Sequence, residues 1–211
     1  DIRKGRTLCV VGESGCGKSV TASSIIQLLP KLSRIEEGEI TYHSEEKGDI
    51  VLSKLKRNSK EMRSFRGSDI AMIFQDPLTA LNPVYKVGWQ ITENILQHED
   101  VTKQEARKRA LDLLKQMGIP EPEKRIDQYP HEYSGGMRQR AMIAMAMSCN
   151  PKVLLADEPT TALDVTIQAQ IFELMEKLKT EYDKAILLIT HDMGVVSELA
   201  DDVIVMYMGK I

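Results

Sequence analysis

One short segment, at positions 12–19, constrains the fold of this chain more than any other feature. Its residues GESGCGKS fit the pattern G-x-x-x-x-G-K-[ST], between an apolar run at 7–11 and a helical pattern at 20–29 closed by Pro30. Glycines let successive backbone N–H groups turn inward, and a helix N-terminus favours an anion. The segment predicts a phosphate-binding loop in which Lys18 reaches the terminal phosphates and the Ser19 hydroxyl binds Mg²⁺. A glycine-rich turn without a ligand is the alternative, and the context disfavours it.

A second signal is the apolar run at 153–156, which leads directly into Asp157 and Glu158. Proteins with parallel sheets bind ligands at the carboxyl ends of their strands. Because side chains alternate along a strand, the two carboxylates point differently, so one can hold Mg²⁺ while the other accepts a proton from water. Alone, such a pair is typical of a solvated strand end, but the phosphate loop upstream favours the catalytic interpretation.

The third signal is the segment YSGGMRQ at 133–139, in which Ser134 and two glycines open a predicted helix that runs to about Cys149. The first N–H groups of that helix would face outward and form a second anion site within one chain. The alternative is a plain N-cap with a flexible lead-in.

Short apolar strands alternate with helical patterns at both ends of the chain, whereas the middle is mainly helical. Strands are predicted at 7–11, 38–42, 49–52, 70–74, 153–156, 185–189 and 203–207. Such alternation predicts an α/β fold with a mostly parallel sheet covered on both faces. We expect a nucleotide-binding core at 1–84 and 150–211, truncated at both ends, and a helical subdomain at 85–149 that carries Ser134.

Composition excludes several classes of protein. The 211 residues are 42% hydrophobic and 28% charged, which is typical of a globular domain. The net charge of −3 gives no general attraction to nucleic acid, and the apolar runs fall well short of the roughly 20 residues that span a bilayer. Three scattered cysteines indicate a reducing compartment, and His43 and His98 lack the spacing of zinc ligands.

Together the motifs resemble those of the ATP-binding cassette (ABC) ATPases over essentially the whole chain. The phosphate loop, Ser134-Gly-Gly-x-x-Gln, Asp157 with Glu158, the TALD segment at 161–164 and the lone His191 occur in the order of that family. The implied fold is a RecA-like P-loop NTPase with an inserted helical subdomain. Four segments are similar to the oligopeptide, dipeptide and nickel importer branch: FQDP at 74–77, LNP at 81–83, YPHE at 129–132 and SGGMRQR at 134–140.

The resemblance implies ATP and Mg²⁺ as cofactors and gives roles to the matching positions. Glu158 would polarise the attacking water, His191 would contact the γ-phosphate, and Gln75 would lie near the water and the metal. Ser19, Gln75 and Asp157 would bind Mg²⁺. Nucleotide contacts would come from the phosphate loop and the signature region, at Gly12, Glu13, Ser14, Gly15, Cys16, Gly17, Lys18, Ser19, Val20, Ser134, Gly135, Gly136, Gln139 and Asp164.

The resemblance also implies partners. In this family Ser134 and Gly136 act on the nucleotide held by a second ATPase subunit, identical or paralogous, and Asp164 reaches across the same interface. ATP would thus be sandwiched between two chains at the cytoplasmic face of the cell membrane. Transmembrane permease subunits would convert closure into transport, and an extracytoplasmic solute-binding protein would act indirectly. The implied function is ATP hydrolysis that powers the import of peptides or a related small solute.

Two positions depart from the family pattern. Residues 1–11 contain no aromatic side chain to stack on adenine, so we expect the strands that carry it to be absent and adenine binding to be weaker by about 1–3 kcal/mol. Tyr133 stands where Leu is more usual, which alters packing but leaves the N–H groups after Ser134 in place.

Two other functions fit part of the sequence. A cassette ATPase without a transporter would act as a nucleotide-driven clamp on nucleic acid or the ribosome, but such proteins usually carry basic or coiled-coil insertions, and this chain is acidic. A small-molecule kinase would share the phosphate loop, yet it would not account for Ser134-Gly-Gly, Asp164 and His191 together. We therefore expect no nucleic-acid partner.

Overall fold

The computed structural model describes residues 1–44, 46–161 and 163–211. Its strands are β1 (Thr7–Gly12), β2 (Thr41–Ser44), β3 (Gly48–Val51), β4 (Ile70–Ile73), β5 (Val153–Asp157), β6 (Ala185–Ile189) and β7 (Asp202–Met206). Its α-helices are α1 (Lys18–Ile25), α2 (Lys60–Phe65), α3 (Pro77–Ala80), α4 (Val87–His98), α5 (Lys103–Gln116), α6 (Pro122–Arg125), α7 (Gly135–Met147), α8 (Val165–Thr180) and α9 (Met193–Leu199). Short 3₁₀ helices lie at Leu52–Lys54 and Pro130–Glu132. Among these described helices, none is both long enough and apolar enough to cross a bilayer.

The central sheet is parallel and has the strand order β4-β5-β6-β1-β7. The β2–β3 pair is antiparallel and forms a separate small sheet. Because the central strands run in one direction, their carboxyl ends meet at one edge. That edge carries the loop after β1, Gln75 after β4, Asp157 at the end of β5 and His191 after β6. The predicted α/β fold with a parallel sheet is confirmed.

The inner strands of this sheet are apolar because both of their faces are covered, whereas the edge strand β7 exposes Val203 and Val205. Along β1, Leu8 and Val10 belong to the core cluster beneath α1, α2 and the β2–β3 pair. Cys9 and Val11 belong to the opposite cluster, beneath α4, α5, α7, α8 and α9. This alternation explains why the strands appear in the sequence as continuous apolar runs.

The helical segment in the middle of the chain is tied together by caps and polar contacts. Thr102 and Glu105 form the predicted capping box at the start of α5. The side-chain amide of Asn94, on α4, donates to the Ser148 hydroxyl at 2.7 Å, where α7 ends. Division of the chain at 84/85 and 149/150 stays a prediction.

The structure differs from the predicted elements mainly at their ends. The first helix spans 18–25 rather than 20–29, because Gln27 takes a left-handed backbone conformation (φ 51°) and Arg66 donates to the carbonyls of Ile26 and Gln27. A short helix, α3, forms within the predicted loop at 76–84. Asp76 caps it by accepting from the N–H of Leu78 at 2.8 Å.

Candidate functional site

The loop between β1 and α1 is shaped around a buried lysine. The Nζ atom of Lys18 donates to the carbonyl oxygens of Gly12 (2.8 Å) and Glu13 (2.9 Å), and the residue is only 6% exposed. Within the described part of the chain, this ammonium group forms no ion pair. A buried cation without an anionic partner is costly, so the loop fits an anionic ligand such as a phosphate group.

The loop is also held from outside by β7. A Cβ atom at Gly12 would lie 2.2 Å from the carbonyl oxygen of Met206, so only glycine fits there. The N–H of Gly209 donates to the Cys16 carbonyl at 3.0 Å, and the Cys16 side chain is buried beneath the loop. The Cys16 N–H in turn donates to the Glu13 carbonyl at 3.3 Å, so neither its thiol nor its backbone is free in this structure.

The remaining positions of the loop are open to a ligand. Glu13, Ser14, Gly15 and Val20 are exposed. The N–H groups of Ser14, Gly15 and Gly17 form no hydrogen bond within the described residues. Free N–H groups at the start of a helix form a cradle for phosphate oxygens.

Ser19, on the first turn of α1, meets Asp157 at the end of β5. The Ser19 hydroxyl donates to Asp157 Oδ1 at 2.9 Å. Burial raises the pKa of the Asp157 carboxyl above its ordinary value, the neighbouring Glu158 adds to the effect, and the Ser19 hydrogen bond and Lys18 oppose it. A hydroxyl and a carboxylate at this distance are oxygen ligands of the kind that Mg²⁺ prefers.

This pair does not surround a metal ion by itself. Within the residues that the structure describes, no group of three or more His, Cys, Asp and Glu side chains is placed to hold a metal ion. Mg²⁺ commonly completes its shell with water and substrate phosphates. The site therefore fits a metal that arrives with a phosphate ligand.

Glu158, which follows β5, has different hydrogen-bond partners from Asp157. Its backbone is left-handed (φ 44°), and its N–H donates to the Ile189 carbonyl of β6 at 3.0 Å. Gln75 Nε2 donates to Glu158 Oε2 at 3.0 Å, and His191 Nδ1 lies 3.5 Å from the same oxygen. The structure thus brings Glu158, Gln75 and His191 together at the sheet edge, whereas Gln75 has no hydrogen bond to Ser19 or Asp157.

Sequence reasoning gave no role to one residue of this group. The Thr161 hydroxyl also donates to Glu158 Oε2, at 3.1 Å. Its signal in the sequence is weak, since threonine is common where a strand leads into a helix. Ala162, inside the segment 161–164, lies outside the described residues.

The signature region is a helix start that faces outward. Ser134 caps α7 by accepting from the N–H of Met137 at 3.3 Å, and Gly135 is exposed. Gly136 packs so closely on α8 that a Cβ atom there would lie 2.7 Å from Ile167 Cγ2. Asp164 caps α8 in a similar way, accepting from the N–H of Ile167 at 3.0 Å.

Gln139 does not lie where a nucleotide contact requires. It is 1% exposed, inside α7, and its Nε2 atom has no hydrogen-bond partner among the described residues. A ligand at the helix start cannot reach this side chain without repacking the interior. The sequence motif pointed to Gln139 because motif spacing does not distinguish the buried face of a helix from the exposed one.

Comparison with known proteins adds to this geometry. The ABC transporter family matches residues 1–161. The chain is 57% identical over 211 residues to the oligopeptide transport ATP-binding protein OppD of Bacillus subtilis (strain 168) and 54% identical to the dipeptide transport ATP-binding protein DppD of the same organism. Both matches cover 100% of this chain, which spans 57% and 61% of those two relatives.

A solved structure has the same fold. The dimeric, post-hydrolysis state of the ATP-binding cassette MJ0796, bound to ADP and Pi, is 29% identical, with a TM-score of 0.84 over 100% of this chain and 85% of that one. The resemblance predicted from the motifs is confirmed by these matches. By its fold, its motifs and its relatives, this chain belongs to the ABC transporter family.

Proposed function

We propose that this chain is the ATP-binding and ATP-hydrolysing subunit that powers the import of peptides, or of a related small solute, across the cell membrane. The observation that carries the proposal is the arrangement at one sheet edge, where Ser19 is bonded to Asp157 and Glu158 lies beside them with a free oxygen. The names of the relatives, which are oligopeptide and dipeptide transport ATP-binding proteins, support the substrate class.

The phosphate loop would bind ATP through charge and backbone dipoles. Lys18 would exchange its bonds to the two loop carbonyls for bonds to phosphate oxygens, which are stronger because both partners are charged. The free N–H groups of Ser14, Gly15 and Gly17 would donate to the same phosphates. Glu13, Gly12 and Val20 would line the approach, and the Cys16 N–H would exchange its bond to the Glu13 carbonyl for one to a phosphate oxygen.

Ser19 and Asp157 would hold Mg²⁺, and the amide oxygen of Gln75 would approach it as a further ligand. The bound metal would neutralise charge on the phosphate oxygens during transfer. When the metal binds, the hydrogen bond between Ser19 Oγ and Asp157 Oδ1 would break, and both of these oxygens would become metal ligands.

Hydrolysis would use Glu158 as the residue that orients water and accepts its proton. The water oxygen attacks the γ-phosphorus as the bond to the bridging oxygen breaks, so ATP and water give ADP and phosphate. Gln75 and His191 would hold the carboxylate from two sides, and the exposed face of His191 would meet the γ-phosphate.

Two copies, or this chain and a paralogue, would sandwich the nucleotide. Ser134, Gly135 and Gly136 would present their N–H groups to the γ-phosphate on the other subunit, and Asp164 would lie at the same interface. The exposure of this helix start and the dimeric state of MJ0796 support the arrangement. ATP would then favour the closed pair over the open one, and hydrolysis would remove that preference.

Transmembrane permease subunits would dock on the surface between 75 and 97, and this contact would hold the chain at the cytoplasmic face of the membrane. Tyr85 and Trp89 are stacked there with ring centroids 4.2 Å apart, and each is nearly half exposed. Leu78 and Val84 extend the apolar area. Exposed apolar patches of this kind mark interaction sites.

The proposal is tested with the Glu158→Gln variant, which should bind ATP and hydrolyse it at least about a hundredfold more slowly. Light scattering measures its mass with and without Mg·ATP, and calorimetry measures binding. A dimer that forms only with Mg·ATP supports the proposal. Absence of ATP binding, or wild-type hydrolysis that survives the substitution, contradicts it. Retention on DNA or RNA that weakens with salt would instead favour the clamp.

A further inference from the structure

We infer that Thr161 is a positioning residue for hydrolysis, because its hydroxyl fixes the Glu158 carboxylate so that Oε1 alone is left for the attacking water. The inference rests on the proposed ATPase function and adds a residue to it. Two donors, from Gln75 and Thr161, converge on Glu158 Oε2, and His191 Nδ1 lies 3.5 Å from the same atom. Within the described residues, Glu158 Oε1 accepts no hydrogen bond.

The local backbone explains how Thr161 reaches the carboxylate. Its N–H donates to the Glu158 carbonyl at 3.2 Å, which closes a four-residue turn from 158 to 161. Glu158, the first residue of this turn, itself has a left-handed backbone (φ 44°). The same residue thus receives a backbone and a side-chain hydrogen bond from Thr161, so the loop and the carboxylate orientation are fixed together.

Thr161 differs from Gln75 and His191 in which part of the chain it links to Glu158. Gln75 and His191 follow β4 and β6, which are neighbours of β5 in one sheet. Thr161 belongs instead to the loop that leads to Asp164 and α8, the segment proposed to meet the second subunit. A change at that interface would therefore reach Glu158 through Thr161, and the carboxylate would be oriented when the loop is in place.

The adjacent threonine provides a matched control. The Thr160 hydroxyl accepts from Gln168 Nε2 at 3.3 Å and does not contact Glu158. Replacing either threonine with valine removes one hydroxyl and keeps the branched shape. The two variants therefore differ in whether the lost hydroxyl reaches the carboxylate.

The experiment measures ATP hydrolysis by the 211-residue chain, with Mg·ATP binding followed by calorimetry. Thr161→Val should lower kcat roughly tenfold and leave KM and Mg·ATP affinity unchanged, the loss expected for one hydrogen bond to a charged group. Thr161→Ser, which keeps the hydroxyl, should restore most of the rate. Thr160→Val should match the wild type.

A double-mutant cycle separates positioning from a general effect on the loop. In a Glu158→Gln background, Thr161→Val should cause no further loss, because the group that it orients is already gone. The inference is overturned if Thr161→Val has the wild-type rate, if Thr160→Val loses as much, if KM rises instead, or if the two losses add. If the wild type itself does not hydrolyse ATP, the proposed function fails first, and the two failures are distinguishable.

Discussion

The sequence predicts that the phosphate loop and the signature region are both anion-binding helix starts. In the structure, the two differ in their hydrogen bonds and in their exposure. At the phosphate loop, Lys18 bonds to two carbonyls of the loop itself, Ser19 bonds to Asp157 of β5, and β7 holds the loop from outside. At the signature region, Ser134 bonds only to its own helix, and Gly135 is exposed. The first site has its polar groups organised by contacts within one chain. The second presents an organised surface whose ligand would have to come from elsewhere.

The largest effect is expected from a substitution in the phosphate loop. Lys18→Ala removes the buried ammonium group, so the affinity for Mg·ATP should fall by about a hundredfold in a single chain. Isothermal titration calorimetry measures this. The exposed Lys31 is the control, and Lys31→Ala should bind as the wild type does. Equal affinities for Lys18→Ala and wild type would contradict the phosphate-loop assignment.

A smaller effect should appear at the signature region, and only when two chains meet. Gly135 tolerates a side chain, because a Cβ atom there would approach Leu163 no closer than 3.8 Å. Gly135→Glu places a negative charge at the helix start, so ATP-dependent dimerisation of the Glu158→Gln chain should weaken by about tenfold or more. Gly135→Gln, similar in size and uncharged, should weaken it less.

Single-chain ATP affinity is the reference for that experiment. Gly135→Glu should bind Mg·ATP as tightly as its parent. Calorimetry measures this at protein concentrations too low for the chain to dimerise. A loss of affinity in the single chain would show that the two sites are not separate. It would contradict the comparison between them.

Two substitutions of Asp164 distinguish its role as the cap of α8 from a role at the interface between subunits. Asp164→Ala loses the bond from the Ile167 N–H and should lower the free energy of unfolding by about 1 kcal/mol. Asp164→Asn keeps an accepting oxygen but no charge, so its stability should match the wild type in a thermal melt. Dimerisation weakened in Asp164→Asn would then reflect the lost charge. Equal dimerisation by both variants and the wild type would leave Asp164 as a helix cap only.

The smallest expected effect concerns pH and Asp157. Burial raises the pKa of this carboxyl in the folded chain, so the folded state holds the proton more tightly than the unfolded state. Stability from this group is present below the unfolded pKa of about 3.9 and is lost as pH rises toward the raised folded value. Asp157→Asn does not titrate, so without Mg²⁺ it should gain stability relative to wild type as pH rises.

Paired thermal melts at pH 4 and pH 7.5 measure that difference. Mg·ATP should reverse it at the higher pH, because the metal would restore a partner to the wild-type carboxylate. A difference between the two proteins that does not change with pH would contradict the raised pKa.

Much of the fold could be predicted from sequence where local and tertiary preferences agree. β6 was predicted to the residue because Ala185–Ile189 is buried on both faces and must be apolar throughout. The end of α1 could not be predicted in this way, because it depends on Arg66. This residue lies 40 positions along the chain from Ile26, whose carbonyl accepts its hydrogen bond. Helical periodicity continues past Ile26, but the tertiary contact stops it.

The candidate site shows the same limit. Asp157 and Glu158 were predicted at the carboxyl edge of a parallel sheet, and the family resemblance added Gln75 and His191, which the structure places at the same edge. The motif also included Gln139, which the structure buries, and gave Thr161 no role, although it contacts Glu158. A motif records which residue types recur in order. It does not record which of them face the ligand.

The contacts by which β7 holds the phosphate loop from outside have a consequence for biosynthesis. The N–H of Thr7 bonds to a carboxylate 194 positions later, and Gly12 pairs with Met206. A ribosome must therefore deliver nearly all of these 211 residues before the loop at positions 12–19 can take its shape. We expect nascent chains to gain nothing from cellular ATP until that last strand emerges, so their early survival depends on chaperones rather than on ligand.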